Sequence, residues 1–199
     1  MFNFFRRHLF EFASFFVLAG AIAYVWTNPI LEIEKLTLEG VDDEKSYREV
    51  KDVLVETIHS DWLKQDLEVI QEGVKKLSWI EKVVVTRVFP NELKIVITPF
   101  TAVARSQYEG KLIAEDGTFF LARDVDLEKS QTLPRISCES FEAKEAVRLL
   151  PQLNRTVAKI KMQVTELMIS YRGSWSLRLT GEDQRTLDIE LGRTANPER

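Results

Sequence analysis

The sequence predicts an α+β protein built as an N-terminal transmembrane helix, a β-α-α-β-β domain, and a mixed β-rich domain with a helix. Three observations carry this. Twenty residues from Phe12 to Leu31 contain no charge. The apolar period then runs from two to the i, i+3, i+4 spacing and back to two before Pro99. Beyond Pro99, short alternating stretches separated by turn residues surround one amphipathic stretch between Glu142 and Ile160. The expected organisation is a cytoplasmic tail (1–11), a transmembrane helix (12–31), a first exported domain (32–99) and a second (100–199).

About 20 helical residues cover the roughly 30 Å hydrocarbon core of a bilayer. Arg6, Arg7 and His8 precede the run and Glu32 and Glu34 follow it, so the positive-inside rule leaves the N-terminus in the cytoplasm and the bulk of the chain outside. Tyr24 and Trp26 fall near the outer end, at headgroup level, and Pro29 ends the helix. The competing reading is a cleaved secretory signal with Ala21-Ile22-Ala23 at the cleavage site. The apolar run continues past Ala23, which is long for a signal and favours a retained anchor.

In the first exported unit, Ile33 to Leu38 reads as a strand closed by Gly40. Ser46 and Glu49 have capping-box spacing, and Val50, Val53, Leu54, Thr57 and Ile58 lie on one helix face, with His59 complementing its C-terminal dipole. Asp66 caps a second helix whose stripe is Leu67, Ile70, Val74 and Leu77. Ile80 to Val88 is rich in β-branched residues, Pro90-Asn91 is turn chemistry, and Leu93, Ile95 and Ile97 alternate inward. Two helices should cover one face of a three-stranded sheet.

In the second unit, strands are expected at Val103 to Gln107, Lys111 to Ala114 and Thr118 to Leu121, the last two joined by an Asp116-Gly117 turn. Leu133-Pro134 should lead into a helix from Glu142 to Leu150, interrupted by Pro151 and continuing at an angle over Leu153 to Ile160. Strands Val164 to Ser170, Trp175 to Thr180 and Leu187 to Leu191 close the chain.

Composition excludes several functions. With 27 Lys+Arg against 31 Asp+Glu the net charge is -4, which lacks the basic surface that nucleic-acid binding requires. Cys138 is the one cysteine and His8 and His59 are the two histidines, too few for a Cys/His zinc site. No phosphate loop or nucleophile elbow occurs, the pairs Asp42-Asp43 and Glu115-Asp116 sit in turns, and the mixed charges on the helices are solvated surface. No catalytic, cofactor-binding or metal residue is expected, and no small-molecule substrate.

The run Leu77 to Ile97, LSWIEKVVVTRVFPNELKIVI, resembles the signature of the polypeptide-transport-associated (POTRA) domain in the bacterial cell-division family FtsQ, also called DivIB. Leu77, Trp79, Ile80, Arg87, Pro90 and Leu93 match, Gly40 ends the initial strand as the family does, and Ser78 stands where proline is usual. The likeness continues through Ala104-Arg105, the segment Leu112 to Phe120 with Gly117, Leu133-Pro134, the corner before Trp175, and Leu191-Gly192-Arg193. Family members extend further, whereas Thr194 to Arg199 remain here, so the resemblance suggests a C-terminal end that is short and an unpaired edge at Leu187 to Leu191. A barrel-bearing POTRA export factor would need more chain than 199 residues hold.

The resemblance implies a divisome scaffold in the inner membrane, periplasmic in bulk, at the division septum. The implied partners are FtsB and FtsL, with contacts to FtsK and the FtsW/FtsI machinery. Strand addition to a sheet edge is the expected mode. The candidate contact residues are Val83, Val85 and Arg87 in the first unit and Leu187, Ile189 and Leu191 in the second.

Overall fold

The computed structural model describes residues 14–21, 23–24, 32–59 and 61–193. Half of the predicted span 12–31 lies outside them; residues 14–21 and 23–24 are helical. Among the described residues no helix is long and apolar enough to cross a membrane.

The first unit runs β1 (Lys35–Glu39), α1 (Glu44–Thr57), α2 (Leu67–Lys75), β2 (Ile80–Val88) and β3 (Glu92–Pro99). β3 is central in the sheet, with β1 parallel and β2 antiparallel to it. Leu93, Ile95 and Ile97 point from β3 into a core that takes Val50 and Leu54 from α1 and Ile70 and Val74 from α2, as their periodicity requires. Asp66 caps α2 by accepting the Glu68 N–H at 2.9 Å.

The cap of α1 differs from expectation. Asp43 rather than Ser46 is the N-cap, its Oδ1 accepting the Ser46 N–H at 2.8 Å. Ser46 is buried inside the first turn, and Glu49 accepts the Trp79 indole N–H at 3.2 Å instead of closing a capping box. An aspartate three residues earlier starts the helix sooner and satisfies a first-turn donor, the Ser46 N–H, with a full charge. His59 also lies beyond the helix; its backbone N–H donates to the Gln65 side chain at 2.6 Å.

The second unit runs β4 (Ala102–Ser106), β5 (Lys111–Ala114), β6 (Phe119–Leu121), α3 (Asp124–Lys129) with a 3-10 turn at Ser130–Thr132, β7 (Arg135–Ser137), α4 (Ala143–Ala158), β8 (Met162–Ile169), β9 (Trp175–Gly181) and β10 (Thr186–Gly192). These strands form one sheet in the order β10-β9-β8-β7-β4-β5-β6. α3 and β7 are additions to the predicted elements, and Leu133-Pro134 precedes β7 rather than a helix. Three residues are too few to show a period, yet β7 pairs parallel to both β4 and β8 and joins the two halves of the sheet.

Pro151 does not interrupt its helix. α4 is continuous across it, because Pro151 lies on the exposed face while Val147 and Leu150 before it and Val157 after it pack in one core. The proline removes one backbone donor, and burial of the apolar face on both sides outweighs that loss.

Two glycines are set by close approach. A Cβ on Gly117, at φ +88°, would lie 2.5 Å from the Lys144 backbone nitrogen at the start of α4. One on Gly40, at φ +89°, would lie 1.8 Å from the Ile97 carbonyl oxygen. Gly40→Ala should therefore cost at least about 2 kcal/mol, strain and clash together, read as a fall in the urea midpoint at unchanged slope.

Candidate partner-binding edges and the joint between units

β5 has burial on both faces. Leu112 and Ala114 pack in the first unit's core, whereas Ile113 between them packs in the second. Alternation along a strand sends neighbours to opposite faces, so the apolar run Leu-Ile-Ala forms a wall shared by two cores. Phe120 from β6 joins the first core and stacks on Phe100, ring centroids 5.2 Å apart. Burying one such side chain is worth about 1.5–3 kcal/mol.

Beside this wall sits Arg123, whose side chain is largely buried. Its Nε and Nη2 donate to the two Asp126 carboxylate oxygens at 2.8 and 2.9 Å, and Nη1 donates to Asp43, the α1 cap, at 3.4 Å. Its guanidinium lies 4.8 Å from the centre of the Trp79 ring, within cation–π range. Hydrogen bonding to Asp126 raises the Arg123 pKa against the opposing effect of burial, with further help from the charges of Asp126 and Asp43. For Asp43, burial raises the pKa, but bonds to Ser46 and the charge of Arg123 bring it below its ordinary value. Sequence reading passed over Arg123; its only local signal was the spacing to Asp126.

The two candidate contact strands both lie at sheet edges. β2 is the outer strand of the three-stranded sheet and β10 of the larger one, and among the described residues neither has a strand on its outer side. On β2, Val83 is buried and Val85 packs against the core. Arg87 is committed inward: its guanidinium donates to the carbonyls of Trp62 at 3.0 Å and Gln65, and so staples the loop between α1 and α2. The side chains that β2 presents to solvent are instead Lys82, Val84, Thr86 and Val88. The alternation follows from the core: odd positions from Val83 face the helices.

β10 is more open. Leu187 and Ile189 pair with the buried Leu179 and Leu177 of β9, so they share the core face, but only Ile189 is partly covered. Leu187 remains 44% and Leu191 39% exposed. On the opposite face Asp188 accepts from Arg178 Nε at 2.8 Å, and Glu166 accepts from its Nη1 at 2.7 Å, crossing β8, β9 and β10. The bond to Asp188 raises the Arg178 pKa. A bulge between Glu190 and Gly192 ends the ladder. Of the remaining motif residues, Trp79, Ile80, Leu93 and Trp175 are core, Leu77 packs at its rim, Pro90 is at the exposed β2–β3 turn, and Gly192 and Arg193 are exposed after the bulge.

Cys138 is buried, and burial followed by the charges of Glu142 and Glu139 pushes its thiol up to about 11, far from a nucleophilic thiolate. Among the described residues no three His, Cys, Asp or Glu side chains could hold a metal ion.

Arg123→Ala should lower stability by about 3 kcal/mol, since it strands two carboxylates and uncovers the Trp79 ring, with Lys restoring only part because it lacks the planar fork. The pH dependence has a definite sign. Asp43 has a folded-state pKa below its ordinary 3.8, so its contribution is complete above that value and is lost as pH falls through the lower folded-state one. Denaturant titrations of Asp43→Asn should lack this acid-side component.

The chain matches two family models: the FtsQ-type POTRA domain over residues 31–98, and the C-terminal domain of cell division protein FtsQ/DivIB over residues 102–199. It is 28% identical over 178 residues to the cell division protein FtsQ of Coxiella burnetii, covering 89% of this chain and 70% of that one. With the FtsQ of Allochromatium vinosum it shares 23% identity over 181 residues, 91% of this chain and 70% of the other. Among solved structures, the N-terminal domain of Omp85 from Thermosynechococcus elongatus aligns at a TM-score of 0.32 and 14% identity, covering 75% of this chain and 62% of that one, a likeness too low to bear on function. With both domains matched in order, the chain belongs to the FtsQ/DivIB family of non-catalytic cell-division scaffolds.

Proposed function

We propose that the chain is a single-pass inner-membrane protein of the division septum, which links early and late division proteins through periplasmic contacts. In this reading residues 1–11 are the cytoplasmic tail, 12–31 the retained anchor, 32–99 the POTRA domain and 100–199 the β-domain. The partners are FtsB and FtsL, with further contacts to FtsK and to FtsW/FtsI. The observation that carries the reading is the pairing of two FtsQ-type domains with the outer edge of β10, which no strand among the described residues covers.

A free edge offers unpaired backbone N–H and C=O groups, and strand addition satisfies them in register. β10 also offers different chemistry on its two faces. Leu187 and Leu191 stand exposed on one side, and Asp188 and Glu190 are exposed on the other. The complementary strand therefore carries apolar side chains towards the core face and Lys or Arg on the other. Mutual attraction of the latter with Asp188 and Glu190 sets register more than affinity.

Proline at position 189 removes a backbone donor from β10 and tilts the edge. Ile189→Pro should cut FtsB co-purification sharply with the chain still folded by circular dichroism; undiminished recovery would sink β10 as the docking strand. Depletion of the protein should give filamentous cells with unconstricted septa, and normal division would refute the septal role.

A further inference from the structure

Several exposed apolar side chains gather at one end of the first unit, the end where the N-terminal segment joins it. An isolated bridge pairs Glu32 with Asp61, and the N–H groups of Glu34 and Lys35 reach the Asn91 carbonyl at 3.1 and 3.5 Å. The chain therefore enters the fold between the α1–α2 loop and the β2–β3 turn. Those two segments are fastened together by Arg87 on Trp62 and Gln65, and by the Trp62 indole donating to the Glu92 carbonyl at 3.0 Å. On them Phe89 is 81% and Leu63 61% exposed. Val55, in the last turn of α1 just before the same loop, is 71% exposed.

We propose that this tip, with Phe89 and Leu63 at its apex, inserts into the outer membrane–water interface of the bilayer that anchors the chain. The inference rests on the anchor reading above. The occupant is set by the tether: Glu32 follows the charge-free run directly in sequence. Even a span ending at Trp26 leaves five residues before Glu32, and the six Cα–Cα steps reach about 20 Å at full extension. A tether limits distance but leaves tilt free; apolar side chains at its attachment point fix the tilt. The nearby charges are of both signs: Asp61 pairs with Lys64 at 3.3 Å and Glu92 with Lys35 at 3.2 Å, while Glu32 and Glu34 are exposed carboxylates where the chain enters. Insertion is thus apolar and does not depend on anionic lipid. The opposite end of the unit carries Asp43 and Trp79 and meets the second unit through Arg123, so seating the tip on the membrane directs β10 away from it.

The test places the environment-sensitive fluorophore NBD on full-length chain in liposomes of phosphatidylethanolamine and phosphatidylglycerol. The label goes on Phe89→Cys, Leu63→Cys or, as a distal control, Tyr171→Cys, which stands 84% exposed in the second unit. Buried Cys138 stays in place, with unsubstituted chain as the labelling blank. Blue-shifted emission and quenching by spin-labelled lipid at 89 and 63, but not at 171, is the expected result, unchanged when phosphatidylglycerol is omitted. Water-like emission at all three positions in chain that resists carbonate extraction overturns the tip proposal alone. Release by carbonate overturns the anchor reading with it. Shielding that rises with protein density and ignores the lipid quencher overturns it in favour of a protein contact.

Discussion

The structure depends on β5 being apolar on both faces. A strand of an antiparallel sheet can present one face to water. Here Leu112 and Ala114 complete one core while Ile113 completes the other, and neither unit can be peeled away without exposing the wall between them. Hydrophobic burial gives this joint its strength but no direction, since it is proportional to area alone. Direction comes from Arg123, whose planar guanidinium meets Asp126 in a two-pronged bond, reaches the cap of α1, and lies over Trp79.

A rigid joint has consequences for a protein that works by contact. The edge at β10 and the tip that carries Phe89 belong to different units, yet their relative placement follows from β5, β6 and Arg123 rather than from a linker. A scaffold needs that: partners bound at one end are held at a set height and orientation relative to the other. The chemistry agrees with this role. Cys138 is inert in its core, and Arg178 ties three strands together across the solvent face. Among the described residues the outer strands β2 and β10 have no strand neighbour on their outer sides.

Much of the fold was legible because periodicity and burial share a cause. β2 and β5 have the predicted bounds, and the inward set on β3 is as its alternation demands. The misreadings have physical reasons. Asp43 and Ser46 both offer oxygens near the start of α1, and the choice fell to the residue whose charge also meets Arg123 on a distant segment. Pro151 looked like a break because a helix is judged locally by its donors, whereas α4 is held by its apolar face. The staple made by Arg87 was not legible because it joins the side chain to carbonyls 22 to 25 residues away in sequence.

The sequence by itself determined the element types, the inward faces, the scarcity of reactive side chains and the family likeness, since these depend on local spacing and residue identity. Folding alone settled that β7 bridges the sheet, that β5 serves two cores, that Arg123 clamps them, and which strands lie outermost among the described residues. Those outcomes arise from contacts between segments far apart in the chain, where short strands and single long side chains leave no period to read.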